Sequence, residues 1–225
     1  MKNQEKSQNQ VSFNQKYVFN CTDSTSNRTN ITYGLTKIQK QYRKNKQNGT
    51  IFVFDLDNTL VETNQANNNA YKEAIQIVVG KEISMGDSRF TRSDLLISLP
   101  YLTETELDAV IKQKESLYVN HLQETRLNNH LFEMLKQLKE NGEETILLTE
   151  SCKNRANQVC DYYFLTPFFN KKYYREDYEN GDKYQFLKKN LPMDGSVFLF
   201  ESEQAEVRRA RQSGLRENQI ITIKF

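Results

Sequence analysis

The sequence has few cysteines and no long apolar run. Its 225 residues include Cys21, Cys152 and Cys160 and contain no CxxC pair. Three cysteines without such pairing exclude a disulfide framework, and they predict a reducing compartment, with the cytoplasm as the default. The first twenty residues lack the apolar stretch of a secretion signal, and no run is long enough to span a bilayer. We therefore expect a cytoplasmic protein that does not bind a membrane.

An excess of charge of one sign is also missing. Lys and Arg number 31 and Asp and Glu 29, which gives a formal net charge of +2. This balance provides no general attraction for nucleic acid, so no such partner is expected. The sequence contains no GxxxxGK, HExxH or GxSxG motif, so ATPase, zinc protease and serine hydrolase classes lack support. His121 and His130 have no second ligand at metal spacing and are predicted to be packed or surface histidines.

The stretch IFVFDLDNTL, residues 51–60, places Asp55 and Asp57 directly after four large apolar residues. An apolar run that does not alternate with polar residues predicts a central strand buried on both faces. Charges are costly to bury unless they are paired or bound to metal, so the two carboxylates are expected where the strand leaves the sheet. Ligands bind at that edge in open parallel α/β sheets. A simple turn is the alternative, because Asp and Asn are ordinary turn residues.

Apolar periodicity divides the chain into three parts. Residues 1–48 are polar, end in a basic run and are predicted to form either a poorly ordered lead-in or a peripheral segment that could dock a protein partner. Residues 64–127 are predicted to be mostly helical and to form an inserted cap. In residues 49–63 and 128–225, strands alternate with helices, which predicts an α/β core with a parallel sheet.

Local signals place two helices within the predicted cap. Gly80 stands where the first helix would end, and Thr103 with Glu106 has the pattern of a capping box at the start of the second. An apolar stripe that runs from Leu107 through Tyr118 to Leu122 predicts a long second helix.

Polar residues stand at the carboxyl ends of the predicted core strands and at the start of one core helix. They are Asp55, Asp57, Thr149, Ser151, Glu201, Ser202 and, on the helix, Lys183. The ends of parallel strands point the same way, so these side chains should converge. Carboxylates held close together repel unless a cation lies between them, and hard oxygen ligands suit magnesium. A phosphate ester fits such a site, with one aspartate attacking phosphorus while the other handles the proton.

These stretches resemble the four motifs of the haloacid dehalogenase superfamily of phosphohydrolases, in the family's order. FDLDNTLVET resembles the first motif, ILLTES the second, NGDKYQFLKKN the third and FLFESEQAEVRRARQSGL the fourth. The matching positions after the first motif are Thr149, Lys183, Glu201, Ala210 and Gly214. The resemblance covers about residues 50–225. It implies a Rossmann-like three-layer α/β sandwich with a central parallel sheet and an inserted helical cap.

The resemblance also implies a magnesium-dependent phosphatase that acts on a small phosphomonoester. Asp55 would be the nucleophile that forms an aspartyl-phosphate, and Asp57 would be the general acid and base. Thr149 and Lys183 would hold the phosphoryl group. Magnesium would be bound by Asp55, the backbone carbonyl of Asp57 and Glu201. The presence of Asp57 argues against dehalogenase chemistry, because members with that activity lack this second aspartate.

One position departs from the family pattern. Where many relatives have Asp directly after the fourth-motif Glu, this chain has Ser202, and a hydroxyl is a weaker magnesium ligand than a carboxylate. Glu206, one helical turn further on, could compensate through a water, or it could be an ordinary exposed glutamate. Two other functions stay open. A phosphomutase would use the same site residues, and a weakened metal site would suit a catalytically weak binding module that uses residues 1–48.

Further residues are candidates for substrate contacts. Asn58 and Ser151 lie in the predicted catalytic loops, and Arg89 and Arg92 lie in the predicted cap. Arginines suit anionic groups, although surface charge is the simpler interpretation of both. The spacing of Lys183 to the fourth motif favours a functional role over a solvated lysine.

Overall fold

The computed structural model describes residues 49–178, 182–191 and 197–225, and the predicted extension of residues 1–48 lies outside them. In chain order the strands and α-helices are β1 (Ile51–Phe54), β2 (Val61–Glu62), α1 (Asn64–Val79), α2 (Arg92–Ser98), α3 (Glu104–Leu117), β3 (Arg126–Leu127), α4 (Asn129–Glu140), β4 (Glu144–Leu148), α5 (Lys153–Tyr162), β5 (Lys171–Tyr173), α6 (Lys183–Asn190), β6 (Val197–Glu201), α7 (Gln204–Gln212) and β7 (Ile220–Thr222). No helix in these ranges is long and apolar enough to cross a membrane.

The main sheet has five strands in the order β5-β4-β1-β6-β7, and each neighbouring pair is parallel. Alternate side chains of a strand point to opposite faces. In β1, Phe52 and Phe54 therefore pack into one apolar cluster with α4 and α5, while Ile51 and Val53 pack into another with α6 and α7. Helices thus cover both faces, which confirms the predicted Rossmann-like three-layer α/β sandwich with a central parallel sheet.

The carboxyl ends of the three central strands bring the motif residues to one edge. Phe54 of β1 pairs with Leu147 of β4 on one side and with Phe200 of β6 on the other. Asp55 is therefore level with Glu201 and with Leu148, the last residue of β4, and Thr149 follows directly after that strand. This register explains why residues far apart in sequence can face one ligand.

Helices α1, α2 and α3 follow the first motif and pack around an apolar cluster of their own, which includes Ile75, Leu95 and Val110. We call residues 64–125 the helical segment. The chain enters and leaves it through β2 and β3, an antiparallel pair in which Val61 faces Leu127. The predicted boundaries of the cap, residues 64–127, stay a prediction.

The local helix signals are confirmed in two cases. Gly80 ends α1 in the left-handed conformation, with φ of 69°, and the capping box of Thr103 and Glu106 starts α3. The predicted length of the second helix is wrong, because α3 ends at Leu117 and a 3-10 helix continues over Tyr118–Glu124. Tyr118, the first residue of this 3-10 helix, belongs to the main core cluster.

Candidate active site

The loop after β1 turns sharply at Asn58. Sheet bonding continues to the Asp55 amide, which donates to the Phe200 carbonyl at 3.1 Å. Asn58 then adopts φ of 58°, a left-handed conformation that asparagine tolerates better than most residues. Its side chain accepts from the Thr63 amide at 3.2 Å and donates to Asn64 Oδ1 at 2.8 Å. These contacts hold the loop that presents both aspartates, while the predicted substrate contact of Asn58 stays a prediction.

Lys183 is the centre of the acidic part of the site. Its side chain is only 2% exposed, and Nζ donates to Asp55 Oδ1 and to Glu201 Oε2, both at 2.9 Å. Glu206 Oε2 lies 3.7 Å from the same nitrogen, and the Tyr184 hydroxyl donates to Glu201 Oε2 at 2.9 Å. A buried ammonium needs such partners to offset its lost hydration. Lys183 is therefore not a solvated helix-start lysine.

The charges of this cluster are coupled. Burial and the neighbouring Glu201 raise the pKa of Asp55 well above its usual value, against the lowering effect of Lys183. Burial lowers the pKa of Lys183, but the carboxylates of Asp55 and Glu201 outweigh it and raise the pKa above its ordinary value. Lys183 thus stays a cation, and it is one positive charge facing two buried carboxylates.

Hydroxyl groups line the same edge. Thr149 is fully buried, its Oγ1 accepts from the Ser151 amide at 3.1 Å, and its carbonyl accepts from the Tyr178 hydroxyl at 3.0 Å. The Thr59 hydroxyl lies 3.0 Å from Asp55 Oδ2 and 3.1 Å from Ser202 Oγ. Ser202 is therefore linked to the Asp55 carboxylate through one side chain.

Asp57 has a separate set of partners. Its Oδ1 accepts from Thr63 Oγ1 at 2.6 Å and lies 3.4 Å from Arg89 Nη1. Its Oδ2 accepts a short hydrogen bond from Ser151 Oγ and lies 3.5 Å from Arg155 Nη2. Burial raises the pKa of Asp57, but the charges of Arg155 and Arg89 outweigh it and hold that pKa well below its usual range. Asp57 is therefore a carboxylate at neutral pH, held by two guanidinium groups.

The predicted substrate residues fall in different places. Ser151 and Arg89 meet at Asp57, as described. Arg92 is not among the residues that the structure brings there, because its guanidinium pairs with Asp108 at 3.3 Å on the surface and its side chain is 59% exposed. Its role in substrate binding stays a prediction without a contact to support it.

Arg155 was missed by reasoning from sequence. It stands four residues after Ser151 on the first turn of α5, so its side chain returns towards the strand end. Its Nε donates to Ser151 Oγ at 3.2 Å, and Nη1 lies 3.9 Å from Glu115 on α3. The i to i+4 spacing from a motif hydroxyl was the available signal.

The donor atoms suit magnesium in kind. Carboxylates of Asp55, Glu201 and Glu206 surround one ammonium, and Glu206 Oε2 is a buried oxygen without a hydrogen-bond partner among the described residues. No three Asp, Glu, His or Cys side chains form a preformed metal cage in the part of the chain that the structure describes. Magnesium commonly takes only one or two carboxylates, keeping waters and substrate phosphate oxygens as its other ligands. The residues therefore fit a magnesium ion that binds together with a phosphate ester.

Comparison with known proteins extends these observations. The sequence profile of the haloacid dehalogenase-like hydrolases matches residues 52–216. A search of the curated proteins finds no match.

Solved structures share the fold at low identity. A candidate phosphoglycolate phosphatase from Lactobacillus plantarum is 15% identical, with a TM-score of 0.60 over 74% of this chain and 84% of that one. CbbY from Rhodobacter sphaeroides, solved with phosphate, is 16% identical, with a TM-score of 0.57 over 75% and 84%. A candidate β-phosphoglucomutase from Thermotoga maritima is 19% identical, with a TM-score of 0.55 over 76% and 83%.

Proposed function

Because the chain belongs to the haloacid dehalogenase-like hydrolase family, we propose that it is a magnesium-dependent phosphatase that hydrolyses a small phosphomonoester through an aspartyl-phosphate on Asp55. The observation that carries this proposal is the arrangement of the two aspartates. Asp55 faces Lys183 at 2.9 Å, whereas Asp57, two residues on, faces Ser151 and Arg155. Two carboxylates of one loop thus have different electrostatic surroundings, which suits them to different roles.

In the first step, a carboxylate oxygen of Asp55 attacks phosphorus and the bond to the ester oxygen breaks. Lys183 and the Thr149 hydroxyl hold the phosphoryl oxygens, where negative charge is concentrated. Asp57 is a carboxylate in the free protein, so it first takes the proton of a monoprotonated phosphate ester and then gives that proton to the departing ester oxygen, so that the alcohol leaves neutral.

In the second step, water attacks the phosphorus of the aspartyl-phosphate. Asp57 is now a carboxylate and takes a proton from that water, and the bond to Asp55 breaks to release inorganic phosphate. The Ser151 hydroxyl and the guanidinium of Arg155 stabilise this carboxylate form. The same side chain thus acts as acid and then as base, as the reversal of the chemistry requires.

We propose that Asp55, the backbone carbonyl of Asp57, Glu201 and Glu206 hold the magnesium ion, with Ser202 beside them. When bound, magnesium would neutralise the phosphoryl oxygens and the excess negative charge of the buried carboxylates. Glu206 would act directly or through water, and its buried Oε2, which has no hydrogen-bond partner among the described residues, supports this position.

The proposal is tested by phosphate release from a panel of small phosphate esters, with and without magnesium, using the full chain. Asp55→Asn is the matched variant, because it keeps the shape of the side chain and removes the nucleophilic carboxylate. We expect turnover that requires magnesium in the native protein and is lost in Asp55→Asn. Magnesium-independent release, or release that persists in the variant, would contradict the proposal.

A phosphomutase is distinguished from the proposed phosphatase by its reaction products. It would return the phosphoryl group to an organic acceptor, so a sugar phosphate would be isomerised while little inorganic phosphate appeared. Analysis of the organic products in the same reactions distinguishes the two activities.

A further inference from the structure

Two cations from separate elements contact Asp57, and a third is joined to them through Glu115. Arg89 precedes α2, Arg155 lies on α5, and Lys114 lies on α3. They are joined through carboxylates: both arginines reach Asp57, and Arg155 and Lys114 approach Glu115 at 3.9 and 3.2 Å. Three cations against two carboxylates leave one positive charge in excess. Such an excess in a poorly hydrated place favours binding of an anion.

Burying the charged side chain of Lys114 in this position costs free energy. Its side chain is 3% exposed, and Nζ lies over the rings of Tyr71 and Tyr118, 5.1 and 5.6 Å from their centroids. Burial and the charge of Arg155 lower its pKa to about 8, against the raising effect of Glu115. A methionine or leucine would fill the same space without a buried charge, so packing alone does not account for a lysine here.

Tyr118 supplies a second, independent observation. The residue is fully buried, and its hydroxyl has no hydrogen-bond partner among the described residues. The Arg155 guanidinium lies over its ring at 5.5 Å, and burial, together with the negative charge of Asp57, raises the pKa of the hydroxyl above its usual value. A buried hydroxyl without a partner is costly, and one placed among cations is a ready donor to an anion.

The position of this cluster relative to the chemistry defines what it would contact. Asp57 hands its proton to the ester oxygen, so the organic part of the substrate extends past Asp57, away from Asp55 and Lys183. Arg89 and Arg155 contact Asp57 directly, Tyr118 packs against Arg155, and Lys114 pairs with Glu115, so this cluster adjoins the carboxylate that faces the departing group. An anionic group a few bonds from the ester oxygen would therefore meet these donors.

We propose that Arg89, Lys114, Tyr118 and Arg155 form a subsite for a second anionic group, so that the preferred substrate is a phosphomonoester that also carries a carboxylate or a second phosphate. This inference rests on the proposed phosphatase function and narrows its substrate class. The anion would accept a hydrogen bond from the Tyr118 hydroxyl. Its negative charge would balance the one positive charge of the cluster that Asp57 and Glu115 leave unbalanced. It would also compete with Asp57 for the two arginines.

The test compares phosphate esters in pairs that differ only in the second charge. Phosphoglycolate is paired with 2-hydroxyethyl phosphate, and propane-1,3-diol bisphosphate with 3-hydroxypropyl phosphate, which separates a carboxylate from a second phosphate. We expect kcat/KM of the full chain with magnesium to be at least about tenfold higher for the anionic member of one pair, as for a charge-assisted contact.

The variants Tyr118→Phe and Lys114→Met should each reduce that preference by about threefold to tenfold. Both keep most of the bulk of the side chain, so we expect both variants to fold, which their circular dichroism spectra would check. Tyr101→Phe and Lys112→Met are matched controls at exposed positions of the helical segment, and they should keep the native ratio.

Binding of the same four esters, measured by calorimetry on Asp55→Asn, gives a readout without turnover. Turnover of the esters with no preference in either pair would overturn the second-anion subsite and leave the phosphatase proposal standing. If no ester is turned over, the phosphatase proposal fails, and the subsite is judged on binding: tighter binding of the anionic esters that Tyr118→Phe weakens supports it, and equal binding overturns it.

Discussion

The guanidinium of Arg155 lies 3.5 Å from the carboxylate of Asp57, across 98 residues of sequence. Through Glu115 the same guanidinium also reaches the helical segment, at 3.9 Å. The general acid and base of the proposed reaction is therefore held by a residue that contacts both the α/β core and the helices packed on it. A change in how those helices sit would alter the surroundings of Asp57 directly.

Arg155→Gln should lower kcat/KM by about tenfold or more, because Asp57 loses one of the two cations that position it. Arg155→Lys should not restore activity, since a single ammonium cannot contact Ser151, Asp57 and Glu115 in the fork geometry of a guanidinium. The measurement is steady-state phosphate release. Arg126→Gln is the control, because Arg126 is 67% exposed and pairs with Glu62 at the surface. Full activity in Arg155→Lys would show that only the charge matters.

Lys183→Met should abolish phosphate release and lower the free energy of unfolding by about 3 kcal/mol or more, because two buried carboxylates would lose their shared ammonium. Urea unfolding of the purified variant measures the stability loss. Lys188→Met, an exposed lysine on the same helix, should leave the free energy of unfolding nearly unchanged. Equal stability of the native protein and Lys183→Met would mean that the ammonium does not stabilise this cluster.

Lys114→Met should raise the free energy of unfolding at pH 7. A pKa of about 8 in the folded state, against 10.5 in the unfolded state, corresponds to about 3 kcal/mol of cost for the charged form. Below pH 8 the lysine is charged in both the folded and the unfolded state, so the charge lowers the free energy of unfolding by the full amount. Between pH 8 and 10.5 the unfolded state binds more protons, so the native protein gains stability and the advantage of the variant shrinks.

The same urea titrations on Lys112→Met provide the comparison, since that lysine is exposed. An advantage of Lys114→Met that stays constant from pH 7 to 10.5 would contradict a cost that arises from charge burial. It would point instead to better packing by methionine.

Ser202→Asp should lower the magnesium concentration needed for half-maximal activity by roughly tenfold, because a carboxylate replaces a hydroxyl beside Asp55. Ser202→Asn is the matched control, with the same shape and no charge, and it should give a much smaller effect. An unchanged magnesium requirement in Ser202→Asp would show that position 202 does not face the ion.

Short-range patterns predicted most of the fold. The unbroken apolar run before Asp55 marked the central strand, and Gly80 and Thr103 marked helix ends, because each of these signals depends on a few neighbouring residues. Strands β2 and β3 were not predicted, since each has only two residues and no periodicity can be read over that length.

The site was predictable where it follows strand ends and was missed where it depends on packing between elements. Asp55 and Glu201 could be brought together by sheet topology alone. Tyr118 could be assigned only to an apolar helix stripe, because its nearness to Asp57 and Arg155 follows from how the helical segment sits on the core. Residue type and spacing do not show how the helical segment packs on the core.

The central claim is that Asp55 becomes phosphorylated during the reaction. The most direct measurement is an acid quench of the full chain mixed with magnesium and a phosphate ester, followed by peptide mass mapping. We predict one added phosphoryl group on the peptide that contains Asp55, transient in the native protein and missing in Asp55→Asn. Phosphate release without a phosphorylated peptide, or phosphorylation at another residue, would contradict the account.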